Sequence, residues 1–218
     1  MTFSYVRGGA ALLLAYLLGA IPFSYIFTRW VSGEDIRTLG NRNAGAANVF
    51  RAVSRTAGAA ASVLDIAKGA AGVALVQAAG LTGLWSVAGG VAAVLGHNYP
   101  VYLKFRGGRG LGASIGALLM LMPLETAMVL PLLGVIFLVV TGSAITGAII
   151  SFLCLISLAW WREQPLSHIL APLVFLLTMG ARWIPQEIHT LCQVQDKKGL
   201  LKSALLHTRY TSDGQPKK

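Results

Sequence analysis

Apolar runs long enough to cross a bilayer recur along this chain, and the short segments between them alternate between basic and nearly uncharged. A hydrocarbon core about 30 Å thick takes roughly 20 apolar residues of helix, and inside it every backbone N–H and C=O must be satisfied within the segment. Repeated runs of that kind point to a bundle of membrane-spanning helices. Composition agrees. Charged residues make up 12 % of the 218 residues and hydrophobic ones 55 %, whereas soluble domains carry about 25 % charge. Cys154 and Cys192 offer neither a disulfide framework nor metal-ligand spacing, and no two histidines stand four apart on one helix face. No metal and no cofactor are expected.

The first run covers Gly9 to about Thr28; it exceeds the apolar region of a signal peptide, and further spans follow it. Others extend from about Ala57 to Ala79, Leu84 to Leu103, Ser143 to Trp160 and Leu166 to Met179. Leu111 to Val140 is interrupted at Met122-Pro123-Leu124-Glu125, where two helices meet at a tight turn. The expectation is an all-α polytopic membrane protein of about seven spans over residues 1–180, with a tail at 181–218.

Lys and Arg gather on the cytoplasmic side of a membrane. The first loop holds Arg37, Arg42, Arg51 and Arg55, the third Lys104, Arg106 and Arg109, and the tail Arg182 with six further cations. The even loops carry no such excess. This alternation predicts an outward N-terminus, a cytoplasmic C-terminus and a home in the cytoplasmic membrane. The net charge of +10 then belongs to loops that face anionic lipid, so no nucleic-acid partner is expected.

Two of the cytoplasmic loops carry candidate chemistry. The third reads Lys104-Phe105-Arg106-Gly107-Gly108-Arg109-Gly110, where glycines can turn backbone N–H groups toward an anion and the next apolar run brings a helix N-terminus. The first contains Asn41, Asn43, Gly45, Asn48 and Arg51, an amide- and guanidinium-rich set suited to phosphate and hydroxyl groups. Asp65 and Lys68 stand three apart inside an apolar run, on one helix face where they can pair. Ionisable groups are expensive there, which makes both of them functional candidates. Gly96-His97-Asn98-Tyr99-Pro100 leads into the basic loop, and Gly112 and Gly116 have the spacing of a close helix contact.

In these motifs the chain resembles the bacterial acyl-phosphate-dependent glycerol-3-phosphate acyltransferases, integral membrane enzymes of seven spans. The resemblance runs from Asp35 to about Gly116. It rests on Asp35-Ile36-Arg37, Gly45-Ala46-x-Asn48-Val49-x-Arg51, Asp65-x-x-Lys68-Gly69, Gly96-His97-Asn98-x-Pro100 and Phe105-Arg106-Gly107-Gly108-Arg109-Gly110. It departs from the family in several places. Asn41, Arg42 and Ala47 stand where the family has Ser, Gly and Thr; Arg109 replaces a lysine; and the C-terminal motif of His, Arg, Asn and a late Glu is not found.

The resemblance implies acyl transfer from an acyl phosphate to the 1-hydroxyl of glycerol 3-phosphate, giving 1-acylglycerol 3-phosphate for phospholipid synthesis. On that reading Arg51, Lys104 and Arg109 hold phosphate together with the backbone of Gly107, Gly108 and Gly110. Asn41, Asn43, Gly45, Asn48, Asp65, Lys68 and Asn98 line or support the substrate site, and either His97 or a substrate phosphate oxygen takes the proton. Two other readings remain open: a relative that binds or moves another anionic lipid without this catalysis, and a small transporter using Asp65 and Lys68. Oligomeric state is not legible.

Overall fold

The computed structural model describes the backbone of residues 2–135 and 144–193, with side chains for residues 5–132 and 146–184. Among the described residues there are nine α-helices, two 3₁₀ turns and no strand. Three stretches are long and apolar enough to cross a membrane: Tyr5–Ser32, Arg55–Ala78 and Leu166–Ile184. Leu111–Leu121 and Thr146–Trp161 are shorter apolar helices.

The first apolar run, expected as one helix, is two: α1 (Thr2–Gly19) and α2 (Phe23–Ser32). Pro22 lacks an N–H and its ring disfavours an unbroken helix, so the chain parts just before it. At the break the Ile21 carbonyl accepts from the Phe23 N–H at 3.2 Å and from Lys68 Nζ at 3.0 Å. After a 3₁₀ turn at Ile36–Thr38 and the short α3 (Ala46–Ala52) comes the long α4 (Arg55–Ala78), capped by Ser54. Helix α5 (Leu84–Asn98) ends before the expected Leu103, because Pro100 cannot continue the helical bonding and the chain enters a second 3₁₀ turn at Val101–Leu103.

The break at Met122-Pro123 separates α6 (Leu111–Leu121) from α7 (Pro123–Val135), with Pro123 at a first helical position where its missing N–H costs little. The 11 residues of α6 reach about 16 Å, roughly half a bilayer core. Residues 136–143, which include the expected start of the next span, lie outside the described residues. Helix α8 (Ala144–Trp161) then pairs with α9 (Leu166–Gln193). The boundary expected after residue 180 therefore falls inside a helix. Met179 and Trp183, one turn apart, are both buried in the core, so the helical face carries the chain past the first polar residues. The tail from residue 194 onward is also outside the described residues.

Helix α4 is the hub and packs on α1, α3, α5 and α6. Two lipid-soluble helices gain little from hydrophobicity on meeting, so close packing of small residues has to hold them. A Cβ on Gly116 of α6 would overlap the Ile66 carbonyl oxygen of α4, and one on Gly112 would press on Asp65. The pair expected as a helix contact is one. The loops sort to two ends. Arg37 Nη1 donates to the Leu103 carbonyl at 3.2 Å, which joins loops one and three. At the far end of α6, Glu125 accepts from Arg162 Nε at 2.6 Å and Gln164 Nε2 at 2.9 Å, joining the turns on that side.

Gly116→Ala should lower the thermal midpoint of the detergent-solubilised protein, since overpacking costs about 1–3 kcal/mol. Gly9→Ala, where an added methyl meets nothing within 4 Å, should leave it unchanged or raised, since alanine favours a helix by about 1 kcal/mol. Equal midpoints for the two variants would contradict the α4–α6 contact.

Candidate active site

Loop one is organised around Asn48, which is 3 % exposed. Its Nδ2 donates toward the carbonyls of Ile36, Leu39 and Asn43 at 3.3, 2.9 and 3.0 Å, and its Oδ1 accepts from the Asn41 N–H at 3.1 Å. That commits both ends of the amide to the loop, so Asn48 holds the shape of the cavity it lines. Asp35 accepts from the Arg37 N–H at 2.9 Å and pairs with its guanidinium at 2.6 Å. The side-chain hydrogen bond from Arg37 holds the Asp35 carboxyl below the usual carboxylate range.

Loop three lies flat on the end of α5. The N–H of Gly107 donates to the Asn98 carbonyl at 3.2 Å and that of Gly108 to the His97 carbonyl at 3.1 Å, so neither is turned toward an anion as expected, because the end of α5 takes both donors. A side chain on Gly108 would run into the His97 ring, so this approach requires glycine. Gly110, at φ +84°, turns the chain into α6.

Between the two loops is a cavity of about 270 Å³. Asn41, Asn43, Gly45, Asn48, Arg51, Asp65, His97, Arg109 and Gly110 all line it, as expected for one shared site. Arg51 arrives on α3 and Arg109 on loop three, and the first turn of α6 adds its partial positive charge. Apolar walls from Ile66, Leu111 and Ile115 complete it. On the inner wall, Asp65 Oδ1 sits 3.3 Å from His97 Nδ1 and 2.9 Å from Lys68 Nζ, all three side chains being buried. Among the described residues no three His, Cys, Asp or Glu side chains gather as a metal site.

Other candidates lie elsewhere. Lys68 stands behind Asp65 against the α1–α2 break, beside a small cavity that Gly107 and Gly108 also line. Asn98 is fully buried and donates through Nδ2 to the Thr178 carbonyl at 3.2 Å, tying α5 to α9. Lys104 lines a separate open concavity with Arg106. It takes left-handed backbone at the end of the 3₁₀ turn, and the glycine strip separates it from Arg109. Sequence reasoning missed Trp183 and Ser62, which line the main cavity. It also missed Arg182, which donates to the Gly107 carbonyl at 3.4 Å and lies over the Tyr99 ring. The i, i+4 spacing of Met179 and Trp183 was the available signal.

The sequence matches the glycerol-3-phosphate acyltransferase family profile over residues 9–190. Glycerol-3-phosphate acyltransferase 1 of Dehalococcoides mccartyi is 35 % identical over 200 residues, covering 88 % of this chain and 94 % of that protein. The chain belongs to the glycerol-3-phosphate acyltransferase family. A member from Thermus thermophilus is 41 % identical over 181 residues, covering 81 % of this chain and 86 % of its own length. The crystal structure of PlsY, an integral membrane glycerol 3-phosphate acyltransferase in its glycerol 3-phosphate form, superposes with a TM-score of 0.75. It is 26 % identical and the match covers 85 % of this chain and 92 % of that one. Membership agrees with the integral membrane, all-helical architecture described above.

One departure from the family pattern has a local cost. Arg42 stands where the family has glycine, and its φ is +59°. A residue with a Cβ pays about 1–2 kcal/mol in that region, and glycine does not. Arg42→Gly should therefore raise stability by about 1 kcal/mol, read as a higher thermal midpoint in detergent. A fall would mean that the arginine side chain contributes more than its backbone costs.

Proposed function

We propose that this chain transfers an acyl group from an acyl phosphate to the 1-hydroxyl of glycerol 3-phosphate, releasing inorganic phosphate and 1-acylglycerol 3-phosphate. The observation that carries the reading is the convergence of Arg51 and Arg109, from separate segments, on one cavity that His97 also lines. Both substrates are anions, and guanidinium groups fork onto phosphate oxygens with geometric selectivity. An acyl phosphate is already an activated mixed anhydride, so no covalent enzyme intermediate is needed. The hydroxyl oxygen bonds to the acyl carbon, and the bond from that carbon to the phosphate oxygen breaks. The arginines and the α6 N-terminus stabilise charge on the carbonyl oxygen and departing phosphate. His97, with Asp65 beside its Nδ1, takes the hydroxyl proton. Asn41 and Asn43 orient the glycerol hydroxyls. The loop end of the bundle is the basic end, which supports placing the site at the cytoplasmic face of the cytoplasmic membrane, with the acyl chain entering from the inner leaflet. About seven spans with the N-terminus outside fit the same charge pattern.

The test is turnover by purified protein in detergent, with acyl phosphate and, as controls, acyl-CoA or acyl carrier protein. Activity with acyl phosphate alone supports the donor assignment; activity only with a thioester overturns it. Arg51→Ala and Arg109→Ala should each raise the KM for glycerol 3-phosphate about tenfold or more, since a hydrogen bond to a charged group contributes about 1.5–3 kcal/mol. Normal binding by both variants would remove the cavity from the reaction. His97→Gln should lower kcat about a hundredfold with little change in KM; an unchanged kcat would pass the proton to a substrate phosphate oxygen.

A further inference from the structure

Beside the cavity, on the opposite face of the glycine strip, lies an open concavity of about 890 Å³. Its wall carries five cations, Arg37, Arg42, Lys104, Arg106 and Arg182, and a single acid, Asp35. Asp35 is already paired with Arg37 at 2.6 Å, so the other four cations face no carboxylate among the described residues. Like charges this close repel one another, and a site that gathers them suits an anion.

Two further observations point to a built site and indicate its ligand. Among the described residues four non-glycine positions have positive φ, and two of them, Arg42 at +59° and Lys104 at +53°, are cations of this wall. A third, Phe105 at +61°, joins Lys104 to Arg106. Such backbone costs energy and concentrates where a ligand is held. Aromatic rings accompany the cations: Tyr102, which lines the concavity, is 56 % exposed, and Phe105, between Lys104 and Arg106 in the chain, is 58 % exposed. Exposed aromatic rings next to Lys and Arg at the end of a membrane helix mark headgroup depth, where the negative surface potential of the cytoplasmic leaflet acts.

We propose that this concavity binds the phosphate headgroup of an anionic glycerophospholipid of the surrounding membrane, at a site separate from the catalytic cavity. The cations engage the phosphate while Tyr102 and Phe105 lie among the glycerol and upper acyl carbons. Arg182 and the Gly107 carbonyl it contacts belong to the wall, and the strip leads on through Gly108 to Arg109. A bound headgroup therefore braces the loop that carries a cavity arginine. The inference does not depend on the proposed reaction, because binding needs no turnover.

The experiment is lipid retention by the full chain in an uncharged detergent, followed by native mass spectrometry with phosphatidylglycerol, phosphatidylcholine and inorganic phosphate as probes. Phosphatidylglycerol should be retained in preference to phosphatidylcholine. The double variant Arg42→Gly, Arg106→Gln should lose about tenfold or more of that retention, at about fivefold per cation. Its thermal midpoint should not fall, which separates loss of ligand from loss of fold. Arg51→Ala, in the catalytic cavity, should retain the lipid as the native chain does. Equal retention of the two lipids overturns the proposal, as does an unaffected double variant. Loss in Arg51→Ala alone would seat the lipid in the catalytic cavity, and displacement by millimolar inorganic phosphate would make this a free-phosphate site; either result overturns it too.

Discussion

A lysine ammonium in an apolar helix bundle is tolerable only when its charge and its donors are used, because an unpaired buried charge costs several kcal/mol. Lys68 uses both. Its Nζ lies 2.9 Å from Asp65 Oδ1 and donates at 3.0 Å to the Ile21 carbonyl at the α1–α2 break. Asp65 in turn faces His97 on α5. One ion pair on α4 thus closes the break between α1 and α2, orients a candidate base, and holds Asp65 on the inner wall of the cavity. Removing either partner would strand a charge at the point where three helices meet.

The second organising element is the strip Gly107-Gly108. Its N–H groups bond the carbonyls of Asn98 and His97, and the absence of side chains lets it lie on α5. The strip therefore divides the basic loop into two sides. Arg109 falls on the cavity side with Arg51, while Lys104 and Arg106 fall on the open side with Arg42. Neighbouring cations in one glycine-rich loop thus serve different surfaces, and the charge of the loop cannot be credited to one site.

The membrane class, the break at Pro123 and the partnership of loops one and three were legible in the sequence. So was the meeting of Asn41, Asn43, Arg51, Asp65, His97 and Arg109. The family resemblance drew these together because its motifs are local and ordered. The reading failed where a local cue had two outcomes. Pro22 within an apolar run was passed over, although it splits one helix into two. The polar residues after Gly180 suggested a tail, yet they share α9 with buried Met179 and Trp183, since one face of a helix can be wet while the other is packed.

By itself the sequence determined that this is a bundle of membrane helices with a basic end, because hydropathy and charge placement are properties of short segments. It also marked Gly112 and Gly116 as a close helix contact, whereas the packing of Gly107 and Gly108 on α5 was not legible in it. Only the tertiary structure decided which cations face the cavity, that Asn48 and Asn98 hold the scaffold, and that Trp183 reaches the cavity, and Arg182 the glycine strip, from the far end of the chain. Those outcomes depend on where a left-handed residue reverses the backbone and on which helix faces meet. Both are set by contacts between residues distant in the chain, and no local pattern carries them.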